Sequence, residues 1–246
     1  MLMKRAIIIQ HVKRETGGLF IEVLNEIGFE ILIINLFEGV LLPNVKSNDI
    51  VIILGGPMGL NDINTGEYSW LRDEVLFINY CIKNNIKIIG VCLGAQLIAH
   101  CLGGRVQKLN DAFNKNKFTP EIGWSKIEPF AHSSSNEIKT LLENGLYVLH
   151  WHADRIILPD SPDITLFASS KRCKEQFFKY KNIIGLQCHI EVTNNLVNKW
   201  ILEDIKFIEM SLGTEGRNIL IEQTKRYCEK SKKRRLDLIR YIVDCY

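Results

Sequence analysis

A cysteine framed by two glycines, Cys92 within residues 90–94, places the strongest constraint on the fold of this chain. A largely aliphatic run over residues 86–91 precedes the cysteine, and a helix-compatible run over residues 93–102 follows it. A strand that turns sharply into a helix through Gly-x-Cys-x-Gly has the layout of a nucleophile elbow. The small flanking residues let the two chain segments pass close together. Because a helix N-terminus also favours a thiolate, the segment predicts a reactive cysteine at the end of a strand.

Strand-like and helix-like segments alternate through the first hundred residues. Helix-compatible stretches cover residues 18–27 and 70–84 and lie between runs that are almost entirely aliphatic. This alternation favours a parallel sheet covered by helices, and aliphatic strands are typical of a sheet with both faces buried. The predicted strands of this part are residues 5–9, 30–34, 50–54 and 86–91.

The middle of the chain has shorter apolar runs and more turn residues. Runs at residues 124–127, 147–150 and 165–168 predict strands at the antiparallel end of a mixed sheet. Residues 176–179 and 183–187 predict a further strand pair, joined by the turn between them.

The last fifty residues have a helical pattern. Helices are predicted over residues 196–210 and 218–241, with a break at the glycines between them. The simplest organisation is one α/β domain over residues 1–195, with a helical C-terminal extension over residues 196–246 that packs on the same domain.

Composition excludes several function classes. The 246 residues are 46% hydrophobic and 24% charged, as in an ordinary globular protein, and the net charge of +3 is too small to imply a nucleic-acid or membrane partner. No apolar run approaches the roughly 20 residues of a membrane span, and the N-terminus leads directly into a strand instead of a signal peptide. The seven cysteines contain no Cys-x-x-Cys pair. We therefore expect a reduced, cytoplasmic protein with mostly buried thiols.

A histidine and a carboxylate two residues apart, His189 and Glu191, lie far downstream of Cys92. If this segment is a strand, the spacing places both side chains on the same face. The pair then supplies a general base and the group that orients it.

A second glycine-rich turn, residues 54–59, follows the predicted strand at residues 50–54. Sites in open α/β sheets form beyond the carboxyl ends of the strands, so backbone amides of this turn are expected to face the sulfur. An oxyanion hole needs two such donors, and we nominate the amides of Gly56 and Leu93. A plain tight turn remains the alternative. A phosphate-binding loop is less favoured, because its Gly-Lys-Ser/Thr ending is absent.

Four motifs together resemble those of class I glutamine amidotransferases with a Cys-His-Glu triad, most closely the stand-alone GMP-synthase-like proteins. The matching segments are residues 54–59, 90–96, 149–154 and 187–193, in the order typical of that family. The resemblance implies an α/β flavodoxin-like fold with a mostly parallel central sheet. Two departures are the isoleucine at Ile190, where proline is common, and Cys188, at a position that is usually aromatic.

The resemblance also implies roles for individual residues. Cys92 would attack the side-chain amide of glutamine, His189 would transfer protons, and Glu191 would orient the imidazole. The oxyanion would lie between the amides of Gly56 and Leu93. Neither a metal nor an organic cofactor is expected. The positions expected to bind substrate are Gly55, Gln96, His152 and Asp154.

Two other segments have open interpretations. His150, His152 and Asp154 alternate along the chain, which permits a metal site, a pocket rim or plain hydrogen bonding. The basic stretch at residues 225–235 permits nucleic-acid binding or a protein-docking surface, but a solvated helix face is the favoured interpretation.

The sequence leaves the function open between several classes. The leading hypothesis is glutamine hydrolysis that releases ammonia to an unknown acceptor, with a synthetase as a possible partner subunit, since the sequence has no ATP-binding signature. A γ-glutamyl peptide or conjugate hydrolase would use the same triad. A non-catalytic regulatory or binding subunit, or a PfpI-like protein, are the remaining alternatives.

Overall fold

The computed structural model describes residues 4–110, 119–130, 136–143 and 145–244. Its strands are β1 (Arg5–Gln10), β2 (Glu30–Asn35), β3 (Ile50–Ile53), β4 (Lys87–Val91), β5 (Arg105–Lys108), β6 (Glu121–Pro129), β7 (Leu146–His152), β8 (Asp154–Ile157), β9 (Ile164–Ser169), β10 (Phe177–Tyr180) and β11 (Ile183–Leu186). Its α-helices are α1 (Gly18–Glu26), α2 (Trp70–Lys83), α3 (Leu93–Cys101), α4 (Asn136–Leu142), α5 (Asn194–Glu203), α6 (Ile205–Leu212) and α7 (Gly216–Asp244).

Nine strands form one mixed sheet, in the order β2-β1-β3-β4-β11-β10-β9-β6-β7. The neighbours from β2 to β11 pair in parallel, and those from β11 to β7 pair antiparallel. The predicted antiparallel end and the predicted hairpin of β10 and β11 are therefore confirmed. So is the flavodoxin-like class, with a large central sheet flanked by helices. The strands β5 and β8 form a separate two-stranded sheet that the sequence did not predict.

The parallel strands have a core on each face of the sheet. Along β1, Ile8 packs on the side of α1 and α7, whereas Ile7 packs on the side of α2 and α3. Successive side chains of a strand point to opposite faces, so an unbroken aliphatic run serves both cores. The long helix α7 contributes Leu238 and Ile242 to the first of these cores, which fixes it against the sheet.

The C-terminal helices differ from the prediction of one helix over residues 196–210. The structure has two helices there, and Asp204 separates them with non-helical backbone angles (φ −116°, ψ 37°). The side chain of Asp204 accepts hydrogen bonds from Arg14 and from the Trp151 indole nitrogen. These tertiary contacts hold a residue with low helix propensity at the break.

The basic stretch is only partly the solvated face that we predicted. Lys225, Arg226 and Lys233 are at least partly exposed, but Arg235 is completely buried and the prediction is wrong for it. Its guanidinium donates to the backbone carbonyls of Ile190 and Cys228, among others. The pattern of charges alone does not reveal which turn of a long helix faces the protein.

None of the described helices combines the length and apolar character needed to cross a bilayer. Of the six described cysteines, five are buried and Cys101 is half-buried, as predicted. The seventh, Cys245, lies outside the described residues, as do residues 1–3 at the start of the predicted first domain.

The strand order brings the carboxyl ends of four parallel strands together. The carboxyl ends of β1, β3, β4 and β11 lie side by side, because these strands are parallel neighbours. Cys92 follows β4, the turn containing Gly55 and Gly56 follows β3, and His189 comes shortly after β11. The predicted site residues therefore converge from distant parts of the sequence.

Candidate active site

Cys92 lies at a sharp turn between β4 and α3, with backbone angles φ 50° and ψ −104°. Positive φ is uncommon for a residue with a side chain and is tolerated only where the surrounding structure enforces it. The flanking glycines leave no room for a larger residue. A Cβ on Gly94 would lie 2.2 Å from the carbonyl oxygen of Ile53, and one on Gly90 would lie 2.6 Å from the carbonyl carbon of Gly94. Tight strand-to-helix packing thus explains the Gly-x-Cys-x-Gly pattern.

His189 and Glu191 form a buried hydrogen-bonded pair, with 2.8 Å between His189 Nδ1 and Glu191 Oε1. The expectation that one strand carries both residues is wrong. The strand β11 ends at Leu186, and His189 joins the sheet only through a single bridge to Leu149. The physical reason is that the chain leaves the β10 ladder after Leu186, so Glu191 meets His189 from the following loop.

The environment of His189 favours its charged form. Burial opposes a positive charge on the ring, but the negative charge of Glu191 and hydrogen bonds to Cys92 and Glu191 outweigh it. Together they hold the pKa of His189 well above its usual value. The charged ring of His189 beside the sulfur can supply the proton transfers that acyl transfer requires.

Two amide side chains that are hydrogen-bonded to each other extend to the sulfur of Cys92. Gln187 Nε2 lies 3.8 Å from Cys92 Sγ, and Gln96 Nε2 donates to Gln187 Oε1 at 3.3 Å. Gln96, which we expected to bind substrate, thus lies one side chain away from the sulfur. A signal for Gln187 was available, since it lies two residues before His189 in the same motif.

The glycine-rich turn packs directly against the cysteine and the histidine. A Cβ on Gly55 would lie 3.0 Å from His189 Cε1 and 3.5 Å from Cys92 Cβ. Leu93 is the first residue of α3, where backbone amides have no partner within the helix. Gly56 lines the same cavity as Cys92, so its amide and that of Leu93 stay the candidates for the oxyanion hole.

A cavity of about 550 Å³ opens above Cys92. Of the predicted site residues, Gly56, Gln96, His152 and Asp154 line it together with Cys92. Residues that the sequence did not nominate also line it, namely Arg14, Glu15, Trp151, Asp204 and Phe207. The last two come from beyond residue 195, so the C-terminal helices contribute to the wall of the site.

Charged groups of both signs surround the cavity. Arg14 lies 3.2 Å from Asp204 and 3.6 Å from Glu15. Burial raises the pKa of Glu15, although His189 and Arg14 oppose the shift. Asp154 pairs with Lys108 at 3.2 Å. Since these groups meet only through tertiary folding, sequence spacing offered no signal for Arg14 or Glu15.

The alternating set His150, His152 and Asp154 does not assemble as one group. The structure instead brings Glu121 to the two histidines, and one potential ligand atom from each lies within 4.8 Å of the others. The Glu121 Oε2 atom lies 3.2 Å from His152 Nε2 and also accepts hydrogen bonds from Ser170 and Gln176. Among the described residues these three are the set that could hold a metal ion. An ion there would have to compete with that hydrogen-bond network.

Within this cluster, the pKa values of Glu121 and His150 are both shifted downward. Burial opposes the Glu121 carboxylate, but His150 and His152 outweigh it and lower its pKa to about 2. Burial also lowers the pKa of His150 to about 4 despite the nearby carboxylate. At neutral pH the Glu121 carboxylate beside His152 is therefore ionised, and the neighbouring His150 ring is uncharged.

The fold and this geometry define a class of protein: an α/β protein with a cysteine at a strand-to-helix turn, beside a buried histidine–carboxylate pair. The family model described as glutamine amidotransferase class-I matches residues 19–209 of the chain. The chain therefore belongs to the class I glutamine amidotransferase family.

Three relatives illustrate the range within this family. A glutamine amidotransferase-like protein of Salmonella typhimurium is 29% identical over 77% of this chain and 76% of its own length. A subunit of the glutamine-hydrolysing GMP synthase of Saccharolobus solfataricus is 31% identical over 60% of this chain and 70% of its own. A γ-glutamyl-CDP-amidate hydrolase of Campylobacter jejuni is 30% identical over 62% of this chain and 68% of its own.

A solved structure extends the similarity to nearly the whole chain. The glutamine amidotransferase of Thermotoga maritima superposes with a TM-score of 0.81 at 27% identity. The match covers 99% of this chain and 98% of that one, so it includes the C-terminal helices.

We predict that iodoacetamide at neutral pH labels Cys92 before the other five described cysteines. Cys92 lines the cavity and contacts the imidazole of His189, whereas burial suppresses the thiolate elsewhere. Burial raises the pKa to about 12 for Cys81, Cys101 and Cys173, and it also raises the pKa of Cys188 and Cys228.

Peptide mass spectrometry after timed labelling would measure this order. The peptide that contains Cys245 should be followed separately, because that residue lies outside the described part of the chain. If Cys81 or Cys173 were labelled as fast as Cys92, the environment assigned to the sulfur would be wrong.

Proposed function

We propose that this protein hydrolyses the side-chain amide of glutamine through a γ-glutamyl thioester on Cys92. Family membership supports the coarser statement, glutamine or γ-glutamyl amide hydrolysis in general. The observation that carries the finer proposal is the placement of Cys92 in the cavity wall, beside a His189 ring that is hydrogen-bonded to Glu191. A nucleophile, a base and an orienting carboxylate in this order are the parts that acyl transfer requires.

The proposed reaction has two halves. The Cys92 thiolate attacks the amide carbon, and the amides of Gly56 and Leu93 stabilise the oxyanion. His189 as imidazolium gives its proton to the departing nitrogen, so that ammonia leaves and the thioester forms. Neutral His189 then takes a proton from water, whose oxygen attacks the thioester. Glutamate and the Cys92 thiolate are released, and the imidazolium is restored. Glu191 keeps the ring orientation throughout.

Glutamine has an α-ammonium and an α-carboxylate, and the cavity offers groups of both signs. Glu15 and Asp154 are among the carboxylates that line it, and Arg14 and Lys108 are the cations. We propose that Asp154, together with His152, Gln96 and the Gly55 backbone, contacts the bound substrate. The division of the chain at residue 195 also remains a proposal, although Phe207 lines the cavity from the C-terminal part.

We further propose that the ammonia passes to an acceptor held by a synthetase partner in the cytoplasm. The relative from Saccharolobus solfataricus, which is a subunit of a GMP synthase, supports a partner of this kind. The acceptor itself is unknown, and the moderate net charge of +3 gives no reason to propose a nucleic acid.

A second candidate is the hydrolysis of γ-glutamyl conjugates larger than glutamine. The cavity of about 550 Å³ lies in the range of pockets that hold drug-sized ligands, which leaves room for a leaving group beside Cys92. The relative from Campylobacter jejuni is named for cleavage of such a conjugate. The acyl half of the reaction is the same, and only the leaving amine differs.

Product release by the purified protein tests these proposals. With glutamine, we expect glutamate and ammonia in equal amounts, while an α-glutamyl dipeptide serves as the negative control. A panel of γ-glutamyl dipeptides measures the second candidate. Faster cleavage of the dipeptides would replace glutamine by γ-glutamyl conjugates as the substrate class. If no product were released from any of these substrates, both proposals would be contradicted and the non-catalytic alternative would be favoured.

A further inference from the structure

A buried histidine outside the triad contacts the glycine-rich turn. His11 follows β1 and has no solvent exposure. Its Nδ1 lies 2.9 Å from the carbonyl oxygen of Gly55, and its Nε2 lies 2.9 Å from Glu74 Oε1. The ring of Trp70 stacks on it at 5.4 Å. Every polar atom of this imidazole is therefore engaged, and one of its partners is the backbone beside the reactive sulfur.

Both ring nitrogens of His11 face oxygen acceptors, so both must carry hydrogen and the ring is an imidazolium ion. Burial opposes this charge, but the charge and hydrogen bond of Glu74 outweigh it and raise the pKa of His11. Glu74, in α2, is itself completely buried. The carboxylate of Glu15 also acts on His11, more weakly than Glu74. A fixed, charged donor thus points at the Gly55 carbonyl.

The geometry of the peptide group links this contact to the oxyanion. In a trans peptide the C=O of one residue and the N–H of the next point in opposite directions. The described residues contain no cis peptide bond, so the Gly56 N–H points away from His11 when His11 holds the Gly55 carbonyl. Gly56 lines the cavity together with Cys92, whereas His11 lies on the buried side.

We propose that His11 and Glu74 are positioning residues that lock the Gly55–Gly56 peptide with its N–H directed at the oxyanion. This inference rests on the proposed function, because an oxyanion forms only if Cys92 attacks a carbonyl. Without the imidazolium, the peptide is free to rotate. A Cβ on Gly56 would lie 3.1 Å from His11 Cβ, so the turn packs directly against this histidine.

Two variants at position 11 test the proposal, with one exposed histidine as the matched control. His11→Leu removes the donor, and His11→Asn keeps an N–H group near the place of Nδ1. His100 is exposed on α3, and His100→Leu makes the same change away from the site. Glu74→Gln keeps the hydrogen bond and removes the charge, so it serves if the leucine variant does not fold.

We expect His11→Leu to lower kcat for glutamine by about 10²–10³-fold, the loss found when one oxyanion-hole donor is removed. The KM should stay within a few-fold, His11→Asn should recover at least part of kcat, and His100→Leu should match the wild type. For Glu74→Gln we expect a smaller fall than for His11→Leu. The rate at which iodoacetamide labels Cys92 should not change in any variant, because alkylation needs the thiolate but forms no oxyanion.

Either of two results for His11→Leu would overturn the proposal. One is an unchanged kcat, and the other is a fall in kcat that is matched by an equal fall in the rate of Cys92 labelling. A crystal structure of His11→Leu adds a readout that does not depend on turnover. The Gly55–Gly56 peptide should be rotated there, and an unrotated peptide would refute the lock even if the wild type hydrolysed nothing. A wild type that turns over no substrate would refute the proposed function separately.

Discussion

Replacement of Cys92 by alanine is expected to lower glutamine turnover by about 10⁶-fold, the loss found when the nucleophile of a hydrolase triad is removed. The reason is chemical, since no thioester can form without the sulfur and the remaining groups only polarise the amide. The backbone should stay in place. Alanine keeps the Cβ, so the strain at φ 50° is unchanged, and both flanking glycines remain.

Besides its contact with the His189 imidazole, the sulfur makes two long, weak contacts among the described residues. Gln187 Nε2 is 3.8 Å from the sulfur, and the Trp151 carbonyl is 4.0 Å from it. We therefore expect the free energy of unfolding to fall by about 1 kcal/mol, mainly through the lost contact with His189, which is small beside the loss of turnover. Titration calorimetry should show that Cys92→Ala still binds glutamine.

The control is Cys81→Ala, which removes a buried thiol from α2, away from the cavity. It should lose some stability through the space that it leaves, but it should keep its turnover. Glutamate release measured for both variants at equal protein concentration compares them directly. A Cys92→Ala protein with wild-type turnover would show that another group performs the attack, and the proposed mechanism would fail.

Local sequence patterns predicted the parallel half of the fold and singled out Cys92, His189 and Glu191, which the structure brings together. The aliphatic run of β4 ends where a glycine pair frames Cys92, and such packing leaves a signature in a few consecutive residues. The pair His189 and Glu191 was also visible as a local spacing. Its secondary structure was not, because the chain leaves the β10 ladder at Leu186 and His189 instead bridges to Leu149 of β7.

Features that depend on distant partners could not be predicted in this way. Asp204 breaks a helical pattern because Arg14, from the other end of the chain, and Trp151 bind its carboxylate. The short strands β5 and β8 have mixed polarity, and they pair only because the fold brings them together. Glu121 meets His152 through the β6–β7 register, in which the two residues lie opposite each other. Such residues carry no signal at fixed sequence spacing.

Arg235 is the residue for which sequence and structure differ most, and its removal should have the largest effect on stability. Its Nη1 donates to the carbonyls of Ile190 and Val192, which flank Glu191. Its Nη2 donates to the Cys228 carbonyl at 2.8 Å. The guanidinium of Arg235, which lies in α7, thus binds the loop on both sides of Glu191. This loop places Glu191 against His189.

We expect Arg235→Leu to lower the free energy of unfolding by at least about 3 kcal/mol. Two buried loop carbonyls, those of Ile190 and Val192, lose their donor, and each unsatisfied group costs about 1–3 kcal/mol, whereas the Cys228 carbonyl keeps its helical partner within α7. Removal of a buried cation offsets part of this loss. With an m-value of about 3 kcal/mol/M in urea, the unfolding midpoint should fall by about 1 M or more. We also expect kcat for glutamine to fall, because a loosened loop no longer fixes Glu191 against His189.

Two further variants separate the hydrogen bonds from the charge. Arg235→Lys keeps a positive charge but not the planar fork, so its stability should lie between those of the wild type and Arg235→Leu. Lys233→Leu changes an exposed cation two residues away on α7 and should leave the urea midpoint unchanged. If Arg235→Leu unfolded at the wild-type midpoint, the guanidinium would not hold the loop. The position of the Glu191 loop on the C-terminal helix would then depend on apolar packing alone.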